Sequence, residues 1–92
     1  MIIRIMGEGQ FEVPDAGVDE LNQLDTLLEA AIAADDEPAF RAALASLLDR
    51  ARELGVRLAD DVLVPSEAVL PAADIDLAQI HELLGDQGLI PG

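Results

Sequence analysis

The sequence predicts a single small domain, residues 1–92, of the α+β class and mainly α-helical. Three observations predict it: a short β-rich region ends at Pro14, two apolar stripes with helical spacing follow, and prolines interrupt the apolar segments beyond residue 56. We divide the chain into a β-hairpin (1–14), a helical hairpin (15–55) and a remainder (56–92). The remainder comprises an irregular proline-containing stretch, a short third helix and an extended tail.

The β-hairpin is predicted from two β-rich runs, residues 2–6 and 11–13, which flank the glycine-containing loop 7–10. Gly7-Glu8-Gly9 also opens like a dinucleotide fingerprint, but Glu12 stands where the third glycine belongs, and a strand follows instead of a helix. A hairpin turn therefore explains both glycines. If 2–6 is an exposed edge strand, a homodimer formed by strand addition is an option that the sequence leaves open.

The first helix is predicted over residues 16–35, where the apolar residues recur at spacings of three and four. That apolar stripe consists of Leu21, Leu24, Leu28 and Ala31. Asp15 is the predicted N-cap, because a short acidic side chain can accept hydrogen bonds from the first free N–H groups of a helix.

The second helix is predicted over about residues 38–54, after the acidic link and Pro38. Its apolar seam consists of Phe40, Leu44, Leu47, Ala51 and Leu54. Gly55 is the expected residue just beyond its C-terminus. Two helices with matching seams and a tight link predict an antiparallel helical hairpin.

The C-terminal third has weaker signals. Residues 56–73 are predicted to be irregular, with a helical turn at 66–68. A short third helix is predicted over 77–84, with Asp76 as its N-cap and Gly85 as the residue after its end. Leu77, Ile80 and Leu84 are its expected inward residues.

The formal net charge of −14 arises from 19 acidic residues against five arginines, and it is unevenly distributed along the chain. Residues 15–37 carry eight acids and no base, residues 38–57 sum to +2, and residues 58–92 carry seven acids. Helical geometry places Asp19 and Glu29 opposite the leucine stripe, with Glu20 and Asp25 flanking. We predict that these four residues form an acidic ridge that binds a partner.

Composition excludes several classes of protein. Hydrophobic residues make up 51% of the chain, which is too many for a disordered acidic tail, and there is no cysteine for a disulfide or a thiolate metal site. The acidic balance argues against nucleic acid as a partner, because a phosphate backbone needs clustered Lys and Arg. No apolar run approaches the length of a membrane span or a signal peptide, so we expect a cytoplasmic protein without direct membrane insertion.

The chemistry of catalysis and metal binding has little support. His81 is the single histidine, and neither a second His nor a Cys exists to complete a zinc site, so a boundary packing role is expected. Asp74-Ile75-Asp76 could open a calcium loop, but Gln79 occupies the position that requires glycine. Ser46 and Ser66 lack an evident triad. We therefore expect no enzyme, no cofactor and no metal.

Several segments have a familiar pattern, in order along essentially the whole chain. They are Ile3-Arg4-Ile5-Met6-Gly7-Glu8-Gly9-Gln10, Asp19-Glu20-Leu21-Asn22-Gln23-Leu24-Asp25, Ala39-Phe40-Arg41-Ala42-Ala43-Leu44, Val64-Pro65-Ser66-Glu67 and Leu83-Leu84-Gly85-Asp86-Gln87-Gly88-Leu89-Ile90-Pro91-Gly92. In these segments the sequence resembles the PspA-associated proteins, the PspAA domain family. The resemblance implies a small soluble protein associated with phage shock protein A, a helical coiled-coil protein that guards a stressed bacterial membrane.

Two hypotheses follow for the function. The first is an adaptor of the envelope-stress system. It binds phage shock protein A, or a regulator near it, through the acidic first helix and exposed parts of the helical hairpin, and its partner recruits it to the inner face of the membrane. The second is a self-associating acidic decoy that blocks a basic surface of a transcription regulator.

Overall fold

The computed structural model describes residues 1–59 and 64–84 as a four-stranded sheet packed against helices. The elements in chain order are β1 (Ile2–Ile5), β2 (Gly9–Glu12), α1 (Asp15–Ala33), α2 (Glu37–Leu54), β3 (Val56–Arg57), β4 (Ala68–Leu70) and α3 (Leu77–Leu84). This architecture confirms the predicted α+β class with mainly helical content.

The N-terminal β-hairpin is confirmed. β1 and β2 pair antiparallel, with Ile3 opposite Phe11 and Ile5 opposite Gly9. The turn uses two left-handed glycines, Gly7 at φ 85° and Gly9 at φ 114°, a conformation that L-residues with a Cβ adopt only at a cost. β2 begins at Gly9, two residues earlier than predicted, because Gly9 is already paired with Ile5.

The prediction of an irregular stretch over 56–73 is wrong in part, because it contains two short strands. β3 pairs antiparallel with β2, and β4 pairs parallel with β1. Residues 66–68 do not form the predicted helical turn, because Ala68 already begins β4. The sheet order is β3-β2-β1-β4, so β1 is an inner strand, and residues 3–5 have a neighbour on both sides. Strand addition of a second copy to an edge at 2–6 is therefore not available.

The helical hairpin is confirmed, with α1 and α2 packed antiparallel. α1 begins directly after the extended Pro14, so Asp15 lies in the first turn, and the prediction that it caps the helix is wrong. At the link, Asp35 adopts a left-handed conformation (φ 55°). Asp36 then caps α2, its side chain accepting a hydrogen bond from the Ala39 N–H at 3.2 Å.

Gly55 ends α2 as predicted, but for a different reason. Its backbone is extended (φ −87°), not left-handed. A Cβ at this position would lie 2.8 Å from the Ala51 carbonyl oxygen and 3.0 Å from the Phe11 Cβ. Glycine is therefore required by the close packing of the end of α2 against β2.

One apolar core joins the sheet to the helices. From the sheet it takes the inward residues Ile3, Ile5, Phe11, Val13, Ala68 and Leu70. From α1 and α2 it takes members of the predicted stripes and the neighbouring Ile32, all nearly without exposure: Leu21, Leu28, Ile32, Phe40, Leu44 and Leu47. Leu24 and Leu54 are partly buried at its margin.

α3 begins with the predicted cap. Asp76 accepts a hydrogen bond from the Gln79 N–H at 2.8 Å, and the Gln79 side chain accepts one from the Asp76 N–H at 3.2 Å. This reciprocal arrangement is a capping box. Leu77 and Ile80 are buried as expected. The predictions for Gly85, for the tail and for the side chains of His81 and Leu84 lie outside the described residues.

Candidate functional site

α1 places the four predicted acidic residues in three different environments. Asp19 and Glu29 are exposed, Glu20 is half-buried, and Asp25 is buried with 4% of its surface exposed. Ten residues separate Asp19 from Glu29, which puts them about 15 Å apart along the axis and about 80° apart around it. The four residues therefore do not form one continuous exposed ridge.

The placement of Asp25 corrects the predicted ridge. Its flank of α1 is covered, as expected for a helix that packs against both α2 and α3. An isolated helical projection cannot show this, because it does not include the element that covers the flank. Asp25 is thus not a surface carboxylate that a partner can reach.

Glu20 joins α1 to α2 through Arg50. The Arg50 guanidinium donates two hydrogen bonds to the Glu20 carboxylate, one of them from Nη2 to Oε1 at 3.2 Å, and donates a third to Glu53 at 2.7 Å. The hydrogen bond from Arg50 holds the pKa of Glu20 below its ordinary value and raises the pKa of Arg50. Glu20 therefore stabilises the helical hairpin and is only half available to a partner.

A second arginine fork joins the β-hairpin turn to α2. Arg52 donates from Nε to Glu8 Oε1 at 2.8 Å and from Nη2 to Glu8 Oε2, and it also pairs with Asp49 at 2.9 Å. This hydrogen bonding lowers the pKa of Glu8 and raises that of Arg52. The two residues are 44 positions apart, so spacing along the chain could not have revealed this pair.

Two further arginines bind backbone carbonyls. Arg41 donates to the carbonyl oxygens of Ala73, at 3.2 Å, and Ile75, which ties α2 to the segment before α3. Arg57 donates to the Glu8 carbonyl from Nε at 3.1 Å and from Nη2 at 2.9 Å. Arg4 is the exception: it is exposed, and within the described ranges no carboxylate or carbonyl pairs with it.

The sheet face turned away from the helices carries exposed apolar side chains that the sequence did not predict. Val56 is 68% exposed, Val69 49% and Met6 51%. Strand alternation could have indicated Met6, because Ile3 and Ile5 point inward. Nothing indicated Val56 and Val69, since β3 and β4 were not predicted.

A surface cleft of about 370 Å³ lies at the β-hairpin turn. Arg4 and Arg57 line it together with Met6 and the turn residues Gly7 to Gly9. The predicted reading of these glycines as turn residues is confirmed by their positive φ angles.

Residues 1–59 and 64–84 hold no evident metal site. No group of three His, Asp or Glu side chains there is arranged to hold an ion. A calcium loop opening at Asp74-Ile75-Asp76 was the alternative to a helix cap. The Asp76 carboxylate caps α3. Within the same ranges, no helix has the length and hydropathy that crossing a membrane requires.

Fold and surface together define a small α+β protein whose arginines mostly hold its elements together and whose two long helices carry exposed acids. The comparison with protein families then identifies the group. The chain belongs to the PspA-associated protein family, whose model matches residues 1–92. Comparison with curated proteins and comparison with solved structures found no match.

Proposed function

We propose that this protein is a small cytoplasmic adaptor of the membrane-stress response, which acts by binding phage shock protein A rather than by catalysis. The observation that carries the proposal is the family membership, because the match to PspA-associated proteins spans the whole chain. Recruitment to the inner face of the membrane then follows from the partner and needs no membrane-spanning segment of its own.

The outward face of α1 is the docking surface in this proposal. Asp19 and Glu29 are its accessible carboxylates, whereas Glu20 is held by Arg50 and Asp25 is buried. Leu27 is 61% exposed and is the one exposed large apolar side chain on the two long helices. It lies about 80° from Asp19 around the axis, on the side away from Glu29, so the two acids and the apolar position share the solvent-facing half of α1. This arrangement suits a helical partner that carries basic and apolar stripes.

The two kinds of side chain have separate roles. Exposed carboxylates attract and orient a basic partner and so raise the association rate, which makes the rate sensitive to salt. Burial of Leu27 in the complex removes apolar surface from water, and a fully buried leucine contributes about 1.5–3 kcal/mol. Leu27 should therefore mainly control the dissociation rate.

The test is calorimetry and surface plasmon resonance with the purified protein and purified phage shock protein A. Binding that weakens as salt rises is the expected result. Absence of any signal, even at low salt, contradicts a direct partnership.

Variants then locate the surface. Asp19→Lys combined with Glu29→Lys should slow association, and Leu27→Ala should accelerate dissociation. Asp74→Lys combined with Glu82→Lys is the matched control, because it reverses two exposed acids that lie outside α1. If the control slows association as much as the α1 variant, net charge matters and the proposed face does not.

A further inference from the structure

We propose that the cleft at the β-hairpin turn binds a phosphate group, which the guanidinium groups of Arg4 and Arg57 hold. The inference is independent of the function proposed above, because none of the described residues that line this cleft lies on α1. It rests on three features of the cleft: the charge of its lining, the contacts that this lining already makes, and the space that the turn leaves open.

The lining of the cleft is basic, although the protein is acidic. The chain carries 19 acidic residues against five arginines, yet Arg4 and Arg57 both line the cleft. Glu8 is the one acid among its described lining residues, and Arg52 binds both oxygens of the Glu8 carboxylate. Counted over the described residues, the lining is therefore positively charged.

Arg57 is already oriented against the turn. Its Nε donates to the Glu8 carbonyl oxygen at 3.1 Å, and its Nη2 donates to the same oxygen at 2.9 Å. These two hydrogen bonds fix the plane of the guanidinium. Binding of a ligand therefore needs little further ordering of this side chain.

Arg4 is the arginine whose donors are unused. Its side chain is exposed and takes part in no ion pair or hydrogen bond within residues 1–59 and 64–84. Arg41, Arg50 and Arg52, by contrast, are each bound by carboxylates or carbonyls. A guanidinium is a planar fork of N–H donors that matches two oxygens of a phosphate, so Arg4 supplies the recognition that the cleft needs.

The glycines of the turn leave room for such a ligand. A Cβ added at Gly7 would have no atom within 4 Å, and a Cβ added at Gly9 would lie 3.5 Å from Arg57 Nη2. The cleft volume of about 370 Å³ is at the lower end of the range for small-molecule sites. It therefore suits a phosphate ester with a small organic part.

Side chains, and not the amides of the turn, are the expected donors. The Met6 N–H already donates to the Leu70 carbonyl at 3.0 Å. The Glu8 N–H donates to the Ile5 carbonyl at 2.9 Å. This site therefore differs from a dinucleotide fold, in which amides at a helix N-terminus bind the phosphate. Two arginines match a phosphate monoester, which carries almost two negative charges at neutral pH, better than they match a singly charged carboxylate.

A soluble phosphate ester and a lipid headgroup would present the same chemical group to the cleft. The net charge of −14 repels a densely anionic bilayer, which favours the soluble ester. Two sets of probes distinguish these sources: inorganic phosphate and glycerol phosphate in solution, and phosphatidylcholine vesicles that contain phosphatidic acid.

The test is a nuclear magnetic resonance titration of the full chain at about pH 7.5, where the ester is a dianion, with ionic strength held constant by chloride. We expect the soluble probes to shift the resonances of residues 4–9 and 57, with a dissociation constant of about 1–10 mM. Arg4→Gln should weaken binding by about tenfold or more, and Arg57→Gln should weaken it as well. The same spectra show whether each variant is folded.

Arg50→Gln is the matched control, because it removes the same charge from α2, where Arg50 binds Glu20. It should leave the affinity nearly unchanged. Absence of any saturable shift at residues 4–9 with both sets of probes overturns the proposal, and so does equal weakening by Arg4→Gln and Arg50→Gln. Binding to the phosphatidic acid vesicles alone, if Arg4→Gln abolishes it, supports the site and identifies a lipid as the source of the phosphate.

Discussion

The two ends of the helical hairpin are held in different ways. At the base, where α1 begins and α2 ends, Arg50 and Arg52 form forks with Glu20 and Glu8, and Gly55 packs closely against β2. At the tip, residues 33–38 are exposed and acidic, and the nearest arginine, Arg41, donates to carbonyl oxygens of another segment.

The tip nevertheless stays folded because apolar burial continues up to it. Ile32 and Phe40, on either side of the link, are both fully buried. The comparison teaches that the visible ion pairs of the base are orienting contacts, whereas burial provides the larger stabilisation at both ends.

The largest expected effect is at the tip. Phe40→Ala should lower the free energy of unfolding by about 3–5 kcal/mol, because it removes a fully buried ring and leaves a cavity. Urea denaturation measures it, with the smaller deletion Phe40→Leu as a second variant in case the alanine variant fails to fold. Leu27→Ala, on an exposed residue, should change stability by no more than about 0.5 kcal/mol. Equal effects at the two positions would contradict a tip held by burial.

An intermediate effect is expected at the base. Gly55→Ala should destabilise by about 1–3 kcal/mol, because the new Cβ overlaps the Ala51 carbonyl oxygen and crowds Phe11. Gly7→Ala makes the same chemical change where nothing lies within 4 Å but φ is +85°, so its cost should be that of the left-handed backbone alone, about 1 kcal/mol. Differential scanning calorimetry of both variants compares the two causes. If position 7 is the more sensitive, space at the base is less restricted than the structure indicates.

The smallest expected effect is the loss of the ion pairs in acid. The pKa values of Glu8 and Glu20 lie below their ordinary value of 4.5 in the folded protein, chiefly because of hydrogen bonds from Arg52 and Arg50. Their stabilising contribution is therefore complete above pH 4.5 and is lost as the pH falls through the folded pKa values.

The measurement is the stability difference between the native protein and the Glu8→Gln/Glu20→Gln variant as a function of pH. The difference should be small but constant near neutrality and should shrink below pH 4.5. Glu12→Gln controls for the loss of an exposed carboxylate outside these pairs. A difference that persists unchanged in acid would show that the substitutions act by other means.

The helices could be predicted because their apolar stripes have a local cause, the spacing of Leu and Ala along the chain. β3 and β4 could not, because strands of two and three residues exist through their partners β2 and β1, far away in sequence. The same limit applies to the candidate site. Exposure of Asp19 follows from helical geometry, but the burial of Asp25 depends on what covers that flank of α1.

The parallel pairing of β1 with β4 has a consequence for the order of folding. The helical hairpin closes through contacts between neighbours in sequence, which form fast. By contrast, Ile3 finds its partner Ala68 only after the intervening chain exists. During synthesis, therefore, the inner strand keeps one side open until β4 has left the ribosome. Until then, β1 is an edge strand with one side unpaired, and the nascent chain is at its most vulnerable to wrong pairing.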